Sequence, residues 1–347
     1  MSVFSPFSSK RRTPLGIACG VDGYRCVQLD LSGPGGVLVA KLAESNAATL
    51  KHVARTMAGG QCVVAPLPED LVIRPARMPL LEGEEFRDAA RWEAAQMLEC
   101  HADDLVAEAM VVSEEPCDDG RLDVLIVALR QERISQLLEP LLVAGLRPVA
   151  VEPSFLAAGR AFALRTRRRE DAPIARAVIE ITREGSNLIV MSGDRSVFAK
   201  RLTVGGEQFD DAVASRLGVT QEEARLLRHD SRSNTLDPAC ARSIQDALRR
   251  PSEELANELA MSLRYVAVAA RIGSVEAIHL CGGEATVHGL DTAITAVCSG
   301  LKVAGEPTAD SWLARIQQRG GGAASDWTVA LGLAMRPAKG QSRRRAA

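Results

Sequence analysis

Leu15-Gly-Ile-Ala-Cys-Gly20-Val-Asp-Gly-Tyr-Arg-Cys-Val27 opens the stretch Leu15–Lys41, and half a chain further on Ala177-Val-Ile-Glu-Ile181 opens Ala177–Gly206. Both stretches read as apolar strand, small polar turn, second strand, glycine-containing turn, third strand. A unit of that kind leaves one sheet face bare, so two copies in one chain predict two half-domains that face each other across a cleft. The cleft is the place to look for function.

A chain of 347 residues exceeds the length at which one hydrophobic core stops growing, so at least two cores are expected. Aromatic residues make up only 3% against 46% hydrophobic, so Ala, Val and Leu must fill the interior. A formal net charge of -2 gives no general attraction to nucleic acid. The eight cysteines, at 19, 26, 62, 100, 117, 240, 281 and 298, form no C-x-x-C pair. They read as buried free thiols of a reducing compartment. The five histidines are scattered without i, i+4 or carboxylate pairing, so no metal site is expected. Apolar runs such as Val124–Leu129 are too short to cross a bilayer, and no signal peptide is recognised, which predicts a cytoplasmic protein.

Residues 1–14 and 337–347 read as loose ends, the second basic. Beside Lys10, Arg11 and Arg12, Phe4 and Phe7 admit a second reading as a weak contact with an anionic membrane surface. Between them the pattern predicts a short helix over Asn46–Met57 and a strand over Cys62–Leu67, then Pro-punctuated extended chain to Pro79. A helix opening at Glu82–Glu84 follows, with Phe86, Ala90, Ala94 and Met97 on one stripe. Trp92 falls about 120° from Phe86 and leaves that stripe, either as a packed rim residue or at a groove edge. Strands at 104–113 and 121–130 and a helix over Gln131–Ala144 complete this region, and Arg165–Asp171 reads as a linker. In the second half a helix follows Gly205–Gly206, and another begins near Ser252 as its cap. The strand Glu276–Leu280 then runs into Cys281-Gly-Gly-Glu-Ala285.

Read in order, Gly16–Gly20 with Val27–Leu29, Pro66-Leu-Pro68, Val72-Ile-Arg74, Trp92-Glu93, Val151-Glu-Pro153, Arg201 through Gly205-Gly-Glu207, Leu280-Cys-Gly-Gly283 and Leu331-Gly-Leu-Ala-Met-Arg336 resemble the type IV pilus assembly protein PilM family. The resemblance covers Leu15 to Arg336. It implies an α/β fold of duplicated actin-like (ribonuclease H-like) half-domains around a cleft, with an inserted α+β subdomain. The implied layout is a flexible segment 1–14, a first half 15–164 with the insert at about 61–144, a linker 165–174, a second half 175–336 with a helical subdomain at about 207–272, and a tail 337–347. It also implies an ATP cleft and a seat on the inner face of the inner membrane, reached through the N-terminal peptide of a PilN-like membrane protein, among other platform or motor components.

Gly20, Asp22, Glu180, Gly205, Gly206, Glu207, Gly282, Gly283 and Glu284 are the positions this resemblance assigns to the nucleotide cleft, and Arg74, Trp92 and Glu93 those it assigns to the partner. Several depart from the family pattern. Ala18 stands where a carboxylate is expected, Glu180-Ile-Thr182 replaces Asp-x-Gly, and Ala224-Arg-Leu-Leu-Arg228 ends in Arg where the family has Lys. Asp22 puts a negative charge in the first phosphate turn, which repels a triphosphate unless a cation intervenes. Expectation therefore leans to a cytoplasmic docking scaffold with a degenerate nucleotide site, no catalytic residue, at most weak ATP binding and no firm Mg2+ site. An active actin-like ATPase that regulates assembly is the alternative. For Gly282 and Gly283 a purely structural role in the strand-to-helix turn is the other reading.

Overall fold

The computed structural model describes residues 12–20, 23–31, 36–42, 47–57, 59–112, 116–117, 119–163, 175–193, 195–230, 236–269, 275–298, 300–304 and 312–336. Asp22, the linker 165–174, the tail 337–347 and Phe4, Phe7, Lys10 and Arg11 lie outside them.

The first set of elements is β1 (Leu15–Gly20), β2 (Gly23–Asp30), β3 (Gly36–Leu42), α1 (Ala47–Thr56) and β4 (Gln61–Ala65). Next come β5 (Val72–Pro79), α2 (Gly83–Leu98), β6 (Leu105–Val111) and β7 (Arg121–Arg130), then α3 (Gln131–Val143), β8 (Arg147–Val151) and α4 (Ser154–Ala163). The second set is β9 (Ala175–Ile181), β10 (Ser186–Ser192), β11 (Arg195–Leu202), α5 (Gly206–Leu217), α6 (Gln221–Asp230), α7 (Pro238–Ala269), β12 (Val275–Cys281), α8 (Leu290–Val297), β13 (Lys302–Ala304), α9 (Trp312–Gly320) and α10 (Thr328–Ala334).

Two five-stranded sheets repeat one plan, β3-β2-β1-β4-β8 and β11-β10-β9-β12-β13. In each, the first three strands form an antiparallel meander and the first strand also pairs in parallel with the fourth, Leu15 beside Cys62 and Val178 beside His279. This is the duplicated actin-like architecture. Parallel strands aligned in this way present their carboxyl ends, and the turns that follow, along one rim of each lobe.

Strand alternation decides which helices cover which face. Leu15, Ile17, Cys26 and Val64 point outward onto Leu50 and Val53 of α1 and Leu141 of α3. Ala177, Ile179, Leu188 and Val190 point onto Phe209, Leu255, Leu259 and Leu290 of α5, α7 and α8. The inner faces share one core, in which Val27 and Val63 of the first sheet and Val178 and Ile189 of the second meet Phe155, Leu331 and Leu333. The helices between the sheets are exchanged, since α4, which follows the first sheet, lies on β9 and β10, whereas α10 from the chain's end lies on β1, β2 and β4. Their closest approach is at Gly332, where a Cβ would stand 1.8 Å from the carbonyl oxygen of Ala157. Glu152, buried just past β8, ties this crossing to the sheet by pairing with Arg160 of α4 and Arg336 beyond α10, and Arg160 donates 2.8 Å to the Gly332 carbonyl.

A third sheet, β5-β7-β6, carries α2 on one face. The segment 72–79, expected only as extended chain, is an edge strand of this sheet. Pro75 and Pro79 fit there because an edge leaves backbone donors unused. Two other expectations need correction. Met97 is exposed, and Leu98 with Ala95 completes the buried stripe of α2. The helix expected to start at Ser252 is one helix, α7, running from Pro238 to Ala269 through Pro251, with Ser252 buried inside it. A proline inside a helix costs about 3 kcal/mol. Ile244 and Leu248 before it share a core with Leu255, Leu259 and Val266 after it, and that burial outweighs the lost bond.

Candidate functional site

The carboxyl ends of the parallel strands lead into Pro66–Asp70 after β4, Thr182–Gly185 after β9 and Gly282–Gly283 after β12, with Gly20 at the end of β1. Each sequence-assigned residue of the cleft that is described lies on or beside one of them.

Glu180, one residue before the end of β9, is buried, and its Oε2 accepts hydrogen bonds from Ser154 Oγ at 2.6 Å and Asn187 Nδ2 at 3.2 Å. Burial pushes its pKa up, against the lowering effect of those two donors. Glu180 therefore sits as an internal polar link between α4 and the second sheet. Ala18 and Gly20 occupy the equivalent strand of the first lobe, and Arg25 lies beside its end, with Nη1 3.4 Å from where a Cβ on Gly20 would be. The Arg25 guanidinium pairs at 3.4 Å with Asp326, in the short 3-10 turn Ala324–Trp327 before α10.

Gly205 and Gly206 open α5, whose first amides are already committed. Gly205 N–H donates to Gln208 Oε1 at 2.8 Å, Gly206 N–H to the Thr182 carbonyl at 2.9 Å and Glu207 N–H to the Arg183 carbonyl at 2.8 Å. The Glu207 carboxylate pairs with Arg183 at 3.2 Å. Gly282 has φ +93°, and a Cβ there would lie 2.3 Å from the Ile181 carbonyl, so this turn requires glycine for backbone packing. A Cβ on Gly283 meets nothing within 4 Å.

Glu284 packs against the start of α5, its Oε1 3.0 Å from where a Cβ on Gly206 would stand. It belongs to a buried ion cluster that the sequence did not reveal. Arg228 of α6, 1% exposed, donates through Nη1 to Glu284 Oε2 at 2.5 Å and through Nε to Asp210 Oδ1 at 2.8 Å, with Nη2 2.7 Å from the same oxygen. Phe209 lies under the guanidinium at 5.9 Å, and His229 Nε2 is 3.7 Å from Glu284 Oε1. One cation thus serves two carboxylates. Burial would raise Glu284, but His229 and Arg228 outweigh it and hold its pKa at about 2. Asp210 goes the other way, pushed up by burial with Glu284 adding to the effect.

On the inserted subdomain Arg74 is exposed on the edge strand β5, and Glu93 is exposed on α2. Trp92 is 63% exposed and stands about 200° around the helix from the buried Ala90 and Ala94, on the side turned away from the sheet. The cysteines are free thiols, and burial pushes Cys19 and Cys62 up to about 12, which leaves them protonated and inert. Among the described residues no three His, Cys, Asp or Glu side chains group as metal ligands, and no helix is long and apolar enough to cross a membrane.

The local signals for this site were uneven. Asp210, Arg228 and Glu284 come from three separate elements, so no spacing rule links them. Glu152 and Arg336 stood in two of the quoted family motifs, yet only the fold shows that they pair.

The family model for type IV pilus assembly protein PilM matches residues 40–338. Among solved structures, the chain is similar to a PilM-PilN type IV pilus biogenesis complex, at 22% identity over 93% of this chain and 98% of that one, with a TM-score of 0.71. It is also similar to the ethanolamine utilization protein EutJ from Carboxydothermus hydrogenoformans, at 13% identity over 95% and 91%, with a TM-score of 0.52.

Proposed function

Because the chain belongs to the type IV pilus assembly protein PilM family, we propose that it is a cytoplasmic docking scaffold of a pilus assembly platform. It takes the short N-terminal peptide of a PilN-like inner-membrane protein and is held at the membrane through that partner. The single observation that carries the scaffold reading, over that of an active ATPase, is the buried Asp210–Arg228–Glu284 cluster beside the positions the resemblance assigns to the nucleotide cleft.

The residues present do not fit Mg-ATP. Holding Mg2+ and orienting a water require accessible carboxylates, whereas Ala18 supplies none and Glu180 is buried, its Oε2 taken by Ser154 and Asn187. A phosphate needs uncommitted backbone donors at a helix start, and the first amides of α5 are paired within the protein. Glu284, bonded to Arg228, turns a carboxylate rather than a donor toward the opening of α5. Such a chain hydrolyses ATP negligibly and binds it weakly at best.

Docking is assigned to the inserted subdomain, where Arg74, Trp92 and Glu93 supply a cation, an exposed aromatic and an acid on an otherwise self-contained sheet and helix. Exposed aromatic and Arg residues are the side chains that contribute most when buried at an interface. The test is fluorescence anisotropy of a labelled peptide carrying the N-terminal segment of the single-pass protein encoded beside this chain. Saturable binding is expected, with Trp92→Ala weakening it about tenfold or more. Absence of binding by the unsubstituted protein would count against docking of this peptide.

A further inference from the structure

We infer that Arg201 is a latch that holds the two lobes together across the cleft, doing from within the chain what a bound ligand would otherwise do. Arg201 is carried by β11, the edge strand of the second sheet, opposite Asn187. Its Nη1 donates at 2.8 Å to the carbonyl of Pro68, in the connection that leaves β4 of the first lobe. Its Nη2 lies 3.5 Å from the Glu184 carbonyl in the turn between β9 and β10. Gly185 makes room for this: a Cβ there would be 3.4 Å from Arg201 Nε, so the guanidinium lies directly over the turn. One side chain thereby touches both rims.

Charge adds to the bond. Glu69, the residue after Pro68, has Glu184 and Asp70 as acidic neighbours and Arg201 as the cation that opposes them, while Asp70 is paired with Arg133 at 3.2 Å. Without Arg201 the two lobes would present Glu69 and Glu184 to each other with no guanidinium between them, and like charges at short range repel. The lobes are also attached by the shared core around α4 and α10, which Glu152 clamps, and β11 lies against β5 beside the latch. A fold fixed at that crossing and latched at the rim opens at the rim when the latch is removed, as in hinge closure around a cleft.

The test compares the full chain with Arg201→Ala, Arg201→Lys and the double variant Arg201→Ala with Glu69→Gln, by hydrogen exchange and small-angle scattering. Loss of a charge-assisted bond predicts roughly tenfold faster exchange at 66–72 and also at 182–186 in Arg201→Ala, together with a larger radius of gyration. Arg201→Lys keeps part of the protection, and the double variant regains part because one facing charge is gone. Unchanged exchange overturns the latch. So does faster exchange in one segment alone with an unchanged radius, which would make Arg201 a local brace. Should Arg201→Ala fail to fold, Arg201→Gln is read by the same criteria. Peptide docking is measured separately, so either idea can fail while the other stands.

Discussion

Gly332→Ala is expected to lose about 3 kcal/mol of stability or more, lowering Tm by about 6–12 °C and in a cell giving mostly insoluble protein. The methyl would stand 1.8 Å from the Ala157 carbonyl oxygen and 2.4 Å from its carbon, and both neighbours are helix backbone that cannot rotate away. Relief requires α4 and α10 to separate, yet Arg160, Arg336 and Glu152 bind the two helices and β8 at the same place. Separation would also open the core in which Phe155 and Leu331 meet both sheets. Gly283→Ala serves as the control, since a Cβ there has open space and the change should fall within about 0.5 kcal/mol. Thermal unfolding of the two variants side by side checks this, and a Tm for Gly332→Ala near that of the control would show that the crossing is looser than described.

Arg228→Met should be comparably damaging, by about 3–5 kcal/mol at neutral pH, because it removes the cation from a buried cluster and leaves Asp210 and Glu284 facing each other. The pH dependence separates this from a simple packing defect. In the unsubstituted protein Glu284 is held at about 2, below the ordinary 4.5. A depressed carboxylate contributes stability that is present above its unfolded value and is lost as pH falls from there toward 2. With Arg228 gone, Glu284 keeps only His229 against burial and moves up from about 2, while Asp210, already pushed up by burial, moves further up, so the Asp210 contribution is complete below the unfolded value and lost as pH rises. The deficit of Arg228→Met relative to the unsubstituted protein should therefore be largest near pH 7 and shrink toward pH 4. Chemical denaturation at a series of pH values reads this directly, and a deficit independent of pH would mean that the cluster carries no charge.

Much of the fold was legible because it is written in local patterns. Two meanders with strict strand texture, Leu15–Lys41 and Ala177–Gly206, forecast two sheets of equal plan, and the glycine pairs fell at the turns. What stayed hidden is what long-range packing decides. Pro251 and Ser252 look like a helix start on any local rule, and only the continuous buried row from Ile244 to Val266 keeps α7 intact. The exchange of α4 and α10 between lobes leaves no trace in either helix, since both are simply small and apolar. In the site, the loss of an acid at Ala18 was visible in one position. The buried ion cluster was not, because Arg228 meets Asp210 and Glu284 only after α5, α6 and the turn beyond β12 have packed.

Isothermal titration of the full chain with Mg-ATP, paired with a phosphate-release assay, bears most directly on whether this actin-like cleft still serves a nucleotide. The expected result is no saturable heat at accessible concentrations, a Kd weaker than about 1 mM, with release no faster than in buffer. Micromolar binding with sustained turnover would contradict it, and would mean that Arg228 and Glu284 part to admit the ligand.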